Sequence, residues 1–250
     1  MENIIYHFNE RSEKYNNTPL WVSSELIKNN LLKMIEHLDK RNIIDIGAGT
    51  GITLIDIVNH YNDVNLAVAL DISDKMLENI KNDKIIKQCA DAHYIPYNDN
   101  IFNLAIAKQS LHYMENIAQV FSEIYRILDN NGSVIIGQLM PYGNQDYDYW
   151  KKIINVRQPL RKNYLTFQFV MELLLNNNFH IESVISFRVK ESLNQWIERY
   201  NNMDSTKAQL LKNLLLNAPS YYKKIYDIVC DDNDIIFYNC WYWIKASVIK

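Results

Sequence analysis

The segment Asp45-Ile46-Gly47-Ala48-Gly49-Thr50-Gly51 holds three of the six glycines of a 250-residue chain. Glycines at this density permit a tight turn and let backbone N–H groups approach a ligand closely. An apolar run precedes the segment and an amphipathic one follows it, so the glycines belong to a strand–helix junction. A dinucleotide site uses the spacing G-x-G-x-x-G, with its pyrophosphate on the helix N-terminus. Here the spacing is G-x-G-x-G, and Ile52 stands where the last glycine is needed. Asp45, just ahead of the first glycine, repels a pyrophosphate but suits a cation. No Gly-Lys-Ser/Thr follows, which excludes a P-loop. An NAD-linked oxidoreductase is disfavoured by the same two residues, Asp45 and Ile52.

Two further acidic residues end apolar runs. Asp71, in Leu70-Asp71-Ile72, can accept both ribose hydroxyl protons at a strand end, with Ile72 against one adenine face. Alternatively, Asp71 is an acid at a helix N-terminus beside Ser73, which can itself cap that helix. Asp91 lies in Ala90-Asp91-Ala92, ahead of Pro96. A nucleoside that is cationic and lacks phosphate meets these demands, and S-adenosylmethionine (SAM) carries both an α-ammonium and a sulfonium. The segment from Asp45 to Gly51 resembles the first motif of class I SAM-dependent methyltransferases, in the type 11 group that includes ubiquinone- and menaquinone-biosynthesis-like enzymes. The resemblance covers about residues 40–140 well, and 160–187 and 235–247 more weakly. It implies SAM as cofactor and S-adenosylhomocysteine (SAH) as product, bound by Asp45, Gly47, Ala48, Gly49, Gly51, Asp71 and Ile72. It further implies that Asp91 accepts the adenine amino group and that the Ala92 N–H meets the ring. The Lys108 backbone and the Gln109 side chain are implied beside the methionine moiety, and Tyr15 is implied to close over its carboxylate. Phe102-Asn103 departs from the family's usual Phe-Asp, a position that packs structurally, so cofactor binding is little affected.

For chemistry on the acceptor, His112 is the best-placed general base, just beyond the fourth strand. Its unperturbed pKa of about 6.5 suits removal of a hydroxyl proton, although a lone histidine is also a common packing residue. His7, His37, His60, His93 and His180 show no partnered spacing, and no metal site is expected. Tyr113, Trp150, Tyr164 and Trp196, with Tyr200, suit an apolar acceptor pocket; they serve equally well as the core of a helical insertion. Lys108-Gln109-Ser110-Leu111 lacks the Asn/Asp-Pro-Pro-Tyr/Trp pattern of enzymes that methylate exocyclic amines of nucleic acids. Pro-Cys is absent, which disfavours C5 methylation of a base. The acidic run Asp231-Asp232-Asn233-Asp234 lacks the EF-hand glycine and spacing and reads as a solvated turn.

These residues need a scaffold of alternating elements. Apolar runs at 42–46, 65–70, 84–89, 101–107 and 133–138 predict strands, and 51–60, 73–82 and 116–128 predict helices between them. A helix is expected near 166–177, and strands at 180–187 and 235–244. Alternation of this kind implies right-handed βαβ units. The expected fold is α/β, a doubly wound, Rossmann-like seven-stranded sheet with the last strand antiparallel. Residues 1–40 are expected as a helical lid broken at Pro19, 41–187 and 235–250 as the SAM-binding core, and 188–234 as a helical cap insertion. Hydrophobic residues are 48% of the chain, enough for a full core, and the net charge of -3 argues against binding by phosphate neutralisation. Three cysteines without a CxxC read as reduced thiols. No signal peptide or membrane span is visible, so a cytoplasmic protein is expected. The expected activity is methylation of an O, N or C nucleophile on a small, partly apolar metabolite, with no nucleic-acid or membrane partner. An RNA or protein methyltransferase and a non-catalytic SAM or SAH binder remain as alternatives, and the oligomeric state is open.

Overall fold

A computed structural model describes residues 2–17, 24–198, 203–230 and 233–250; Pro19, Tyr200, Asp231 and Asp232 lie outside the described residues. Strand β1 (Asn42–Ile46) is buried on both faces, as a central parallel strand must be. It pairs in parallel with β2 (Leu66–Asp71) on one side and β4 (Phe102–Lys108) on the other. Strand β3 (Ile85–Cys89) extends the sheet beyond β2, and β5 (Leu128–Met140) extends it beyond β4, both in parallel. Strand β8 (Ile235–Val248) enters antiparallel between β5 and β6 (Phe179–Ser192). The sheet order is β3-β2-β1-β4-β5-β8-β6, the doubly wound α/β architecture expected, with the last strand antiparallel. The eighth strand, β7 (Val229–Cys230), pairs with the start of β8 and falls in the segment read as helical insertion.

Helices cover both faces. Helix α1 (Glu2–Arg11) is followed by a 3₁₀ turn (Ser12–Asn17), and α2 is Glu25–Ile35. Helices α3 (Ile52–His60) and α4 (Asp74–Glu78) follow β1 and β2. Ile27, Leu31 and Ile35 of α2, Leu54 and Ile57 of α3 and Leu77 of α4 pack with Ile43, Leu104, Ile135 and Trp243 on one face. On the other face lie α5 (Ile117–Ile127) and α7 (Phe167–Asn176). Ile117, Val120, Phe121, Ile124 and Ile127 form the buried stripe of α5, at the helical period. Ser73 caps α4 by accepting the Met76 N–H at 3.1 Å, and Thr166 caps α7 from Phe169 at 3.2 Å. Asn103 has the packing role expected of its position: it accepts the Asn42 N–H and donates to Asp129.

The helical layer above the strand ends differs from the expected boundaries in two ways. Helix α6 (Asn144–Arg157), inside the 41–187 range read as core, packs instead with α8 (Leu193–Glu198), α9 (Ser205–Leu216) and α10 (Ser220–Ile225). The cause is apolar: Trp150, Ile153 and Ile154 have their partners in Leu193, Trp196, Leu211 and Tyr222. Residues 1–40 also divide. Helix α2 belongs to the sheet's own core, so only α1 and the 3₁₀ turn remain beside the cavity described next.

Candidate active site

The strand order reverses between β1 and β4, and the crevice above that point is where ligands bind in open α/β sheets. A cavity of about 160 Å³ opens there. Its floor is the glycine turn. Gly47 and Ala48 donate to the Leu70 carbonyl at 2.8 and 2.9 Å, and Gly47, Gly49 and Gly51 all have positive φ. The room for a side chain differs among them. A Cβ on Gly47 would stand 2.4 Å from Ser110 Cβ, and one on Gly51 would stand 2.6 Å from Ile80 Cδ1. At Gly49 it would meet only Met76 Cε, at 3.5 Å. Gly51 packs against α4's trailing loop at Ile80 and is not among the residues lining the cavity.

Asp71 ties the turn together. Its Oδ2 accepts the Gly49 N–H at 2.7 Å and its Oδ1 accepts the Ser73 N–H at 2.9 Å. Burial pushes its carboxyl up, against these backbone donors, which favour the ionised form. Burial also pushes Asp45 up to about 7, with Lys108 acting in the opposite sense. Asp91 accepts the His93 N–H at 3.0 Å and lies 2.5 Å from His93 Nδ1, while His93 Nε2 accepts the Asn116 N–H. His93, read as unpartnered, is thus the clamp of the Asp91 loop. His7 likewise has a partner, Arg11, at 3.2 Å.

At the end of β4, Gln109 takes a φ of 56° and donates its N–H to the Gly137 carbonyl. Its Oε1 accepts from Gln138 Nε2 at 3.1 Å, and Gln138 also faces His112 Nδ1. Burial holds His112 well below its usual pKa, Arg161 adds to that, and the imidazole is neutral at pH 7. The 158–163 loop is pinned to this strand end, since the Lys162 and Asn163 N–H groups donate to the His112 carbonyl at 2.8 and 3.1 Å.

Five buried side-chain atoms along this one cavity have no protein partner: Asp45 Oδ1, Gln109 Nε2, His112 Nε2, Arg161 Nη1 and Asn239 Nδ2. Buried polar groups are almost always hydrogen-bonded, so a concentration of orphans in a cavity points to a polar ligand. Of the expected residues, Tyr15, Asp45, Gly47, Ala48, Gly49, Asp71, Ile72, Asp91, Ala92, Lys108, Gln109, His112, Tyr113, Trp150 and Trp196 all line it. Tyr164 does not. It sits edge-on behind Trp150, with its hydroxyl on Asn155 at 2.7 Å. Trp150 and Trp196 each pack in the cap core and also line the cavity. Sequence reasoning missed Arg157, Gln158, Arg161 and Asn239. The pair Arg157 and Arg161, at helical spacing beyond an aromatic stretch, was the available signal for the arginines. Asn239 carried none.

Comparisons with known proteins agree with this geometry. Residues 44–136 match the family model described as a methyltransferase domain. The chain is 30% identical to the biotin biosynthesis bifunctional protein BioHC of Saccharophagus degradans, over 40% of this chain and 18% of that protein. It is 25% identical to a malonyl-[acyl-carrier protein] O-methyltransferase of Halorhodospira halophila, over 54% of this chain and 47% of that one. The chain thus spans less than half the length of these two relatives. Among solved structures, the YcgJ protein of Bacillus subtilis superposes with a TM-score of 0.81 at 16% identity, covering 89% of this chain and 98% of that chain.

Proposed function

We propose, on the premise that the chain belongs through residues 44–136 to the class I SAM-dependent methyltransferases, that it methylates a nucleophile on a small metabolite. The observation that carries this reading is a cavity with orphaned polar atoms along its length. The residues present fit SAM. Asp45 Oδ1 offers a buried acceptor to the α-ammonium, and Gln109 Nε2 offers a donor to the methionine carboxylate, over which Tyr15 closes. Gly47 and Gly49 line the cavity with backbone in the left-handed region, so the ligand meets main chain there. Asp71 retains acceptor capacity for the ribose hydroxyls, with Ile72 and Ala92 at the adenine. SAM supplies a methyl group already activated on a sulfonium. The protein's share is then alignment and exclusion of water, worth up to roughly 7–11 kcal/mol in favourable systems.

His112 is the proposed general base. For Nε2 to accept a proton, Nδ1 must keep its hydrogen, which Gln138 Oε1 is placed to accept at 3.4 Å. His112→Gln is expected to lower turnover by about 100-fold, the lower range for general acid–base catalysis, with little change in SAH affinity. Unaltered turnover removes the base. The base form is the neutral one, lost as pH falls through the pKa. Because that pKa lies well below 6.5, turnover at saturating SAM should not decline as pH drops from about 8 to about 6.5.

A second pH dependence belongs to the cofactor. Below about pH 7 the Asp45 carboxyl is mostly protonated in the free protein. Binding an ammonium favours its ionised form, so binding at low pH must release a proton. SAH affinity should therefore fall by up to about tenfold per pH unit below 7 and level off above it, by linkage. Asp45→Asn should flatten this dependence; calorimetry from about pH 5.5 to about pH 8.5 measures both, and a slope that persists in the variant counts against Asp45.

The acceptor class is tested by label transfer from methyl-labelled SAM to separated pools of small metabolites, RNA and protein. Label in the small-molecule pool is expected. Label in RNA or protein overturns the substrate class, and tight SAH binding with no transfer to any pool favours a non-catalytic binder. The proposed location is the cytoplasm. Among the described residues, no helix is long and apolar enough to cross a membrane.

A further inference from the structure

The cavity is lined by charges of both signs. Asp45, Asp71, Asp91 and Lys108 come from the strand ends and the loops after them, Arg11 from α1, Arg157 from the end of α6 and Arg161 from the 158–163 loop. The acids match a cationic cofactor. A buried guanidinium loses its hydration and gains from an anionic partner.

Arg161 makes the case. It is 6% exposed, and both Nε and Nη2 donate to Gln158 Oε1, at 3.1 and 2.7 Å. That acceptor is neutral. Nη1 is buried with no protein partner, and the guanidinium carbon lies 5.5 Å from the centroid of the Trp150 ring. Burial and the like charge of Arg157 hold its pKa down to about 10, still protonated at neutral pH. Two acids of this region are engaged elsewhere: Glu115 pairs with Lys162 at 2.8 Å, and Asp146 accepts from Tyr142 N, Gly143 N and the Tyr226 hydroxyl. The hydrogen bonds from Lys162 and Asn163 to the His112 carbonyl fix the Arg161 loop against the strand end that carries His112. Arg161 Nη1 and His112 Nε2, both orphaned, thus line the same chamber.

We infer that Arg161 anchors an oxyanion, a carboxylate or a phosphate, on the methyl acceptor, which makes the substrate class an anionic small molecule with a flat apolar body. The inference rests on the methyltransferase reading, since it assigns the part of the cavity left beside the cofactor. The flat body follows from the chamber's other walls, Phe8, Tyr113, Trp150 and Trp196. Arginine suits this task because its planar fork meets a carboxylate or phosphate with two donors.

The test uses the SAH-loaded full-length protein with benzoate, phenyl phosphate and the neutral isostere benzamide as probes, read by ligand-observed NMR and competition. Benzoate or phenyl phosphate should bind at least about tenfold more tightly than benzamide, the scale of a charge-assisted hydrogen bond. Which of the two anions binds more tightly identifies the group. Arg161→Leu should abolish the preference while SAH affinity is kept, and Arg161→Lys should restore part of it, as a charge without the fork. SAH affinity is the folding control. If Arg161→Leu fails it, Gln158→Leu, which frees the guanidinium without removing it, should still retain the anion preference. Equal binding of anion and amide by the SAH-loaded wild type overturns the inference and leaves the cofactor reading standing. Failure of the wild type to bind SAH overturns the methyltransferase reading itself.

Discussion

Gly47→Ala should cost about 2–5 kcal/mol of stability and nearly all SAH binding. Two independent penalties combine. A residue with a Cβ in the left-handed region costs roughly 1–2 kcal/mol, and Gly47 has a φ of 72°. The new methyl would also stand 2.4 Å from Ser110 Cβ, where overpacking costs typically about 1–3 kcal/mol. Ser110 cannot yield easily, because its hydroxyl donates to the Ile46 carbonyl at 2.6 Å and fixes it to the end of β1. If the turn shifts instead, the Gly47 and Ala48 N–H groups leave the Leu70 carbonyl and the cradle opens. Gly49→Ala separates the terms. Its φ is 57°, but its methyl would meet only Met76 Cε at 3.5 Å, so only the backbone penalty of roughly 1–2 kcal/mol is expected. Urea unfolding gives the stabilities and calorimetry the SAH affinities. A Gly47→Ala protein as stable as the wild type, with SAH affinity intact, would show that the turn is looser than this geometry requires.

The glycine turn was legible because two signals coincide there: a run buried on both faces and a cluster of residues permissive of positive φ. Parallel strands declare themselves by apolar runs, which is why the expected 42–46 matches β1. Strand ends were less legible. The strand expected at 133–138 runs from Leu128 in β5, because Phe102 pairs with Leu128 across an irregular register. The 166–177 expectation met α7 to within a residue at each end, since Thr166 and Asn177 flank it as caps. What stayed hidden was tertiary. Nothing local to Trp150 says that its helix belongs to the cap, because its partners lie some forty or more residues on, in α8 to α10. Asp91 and His93 are two apart, but their pairing depends on a loop geometry that no periodicity reports. The orphaned atoms were least accessible of all. A missing partner is a property of the whole fold, so Arg161 and Asn239 became site residues only once their surroundings were known.

Asp71→Ala should weaken SAH binding by about 1.5–3 kcal/mol, roughly 10- to 150-fold, the scale for hydrogen bonds to a charged group. The variant should also lose stability without any ligand. The Gly49 and Ser73 N–H groups lose their acceptor in a buried place, and each stranded donor costs about 1–3 kcal/mol. These losses are offset in part, because burial disfavours the ionised carboxyl that is removed. Asp71→Asn distinguishes the two roles. Its amide oxygen can still accept from one backbone N–H, but the amide group replaces one of the two oxygens and cannot accept from a pair of ribose hydroxyls as a carboxylate does. The asparagine variant should therefore recover much of the stability and little of the affinity. Recovery of affinity along with stability would mean that Asp71 acts on the cofactor only by holding the turn, and the ribose contact would have to be sought elsewhere along the cavity. The same pair of measurements separates a loop fastener from a ligand-binding group, which the hydrogen bonds to Gly49 and Ser73 alone cannot do.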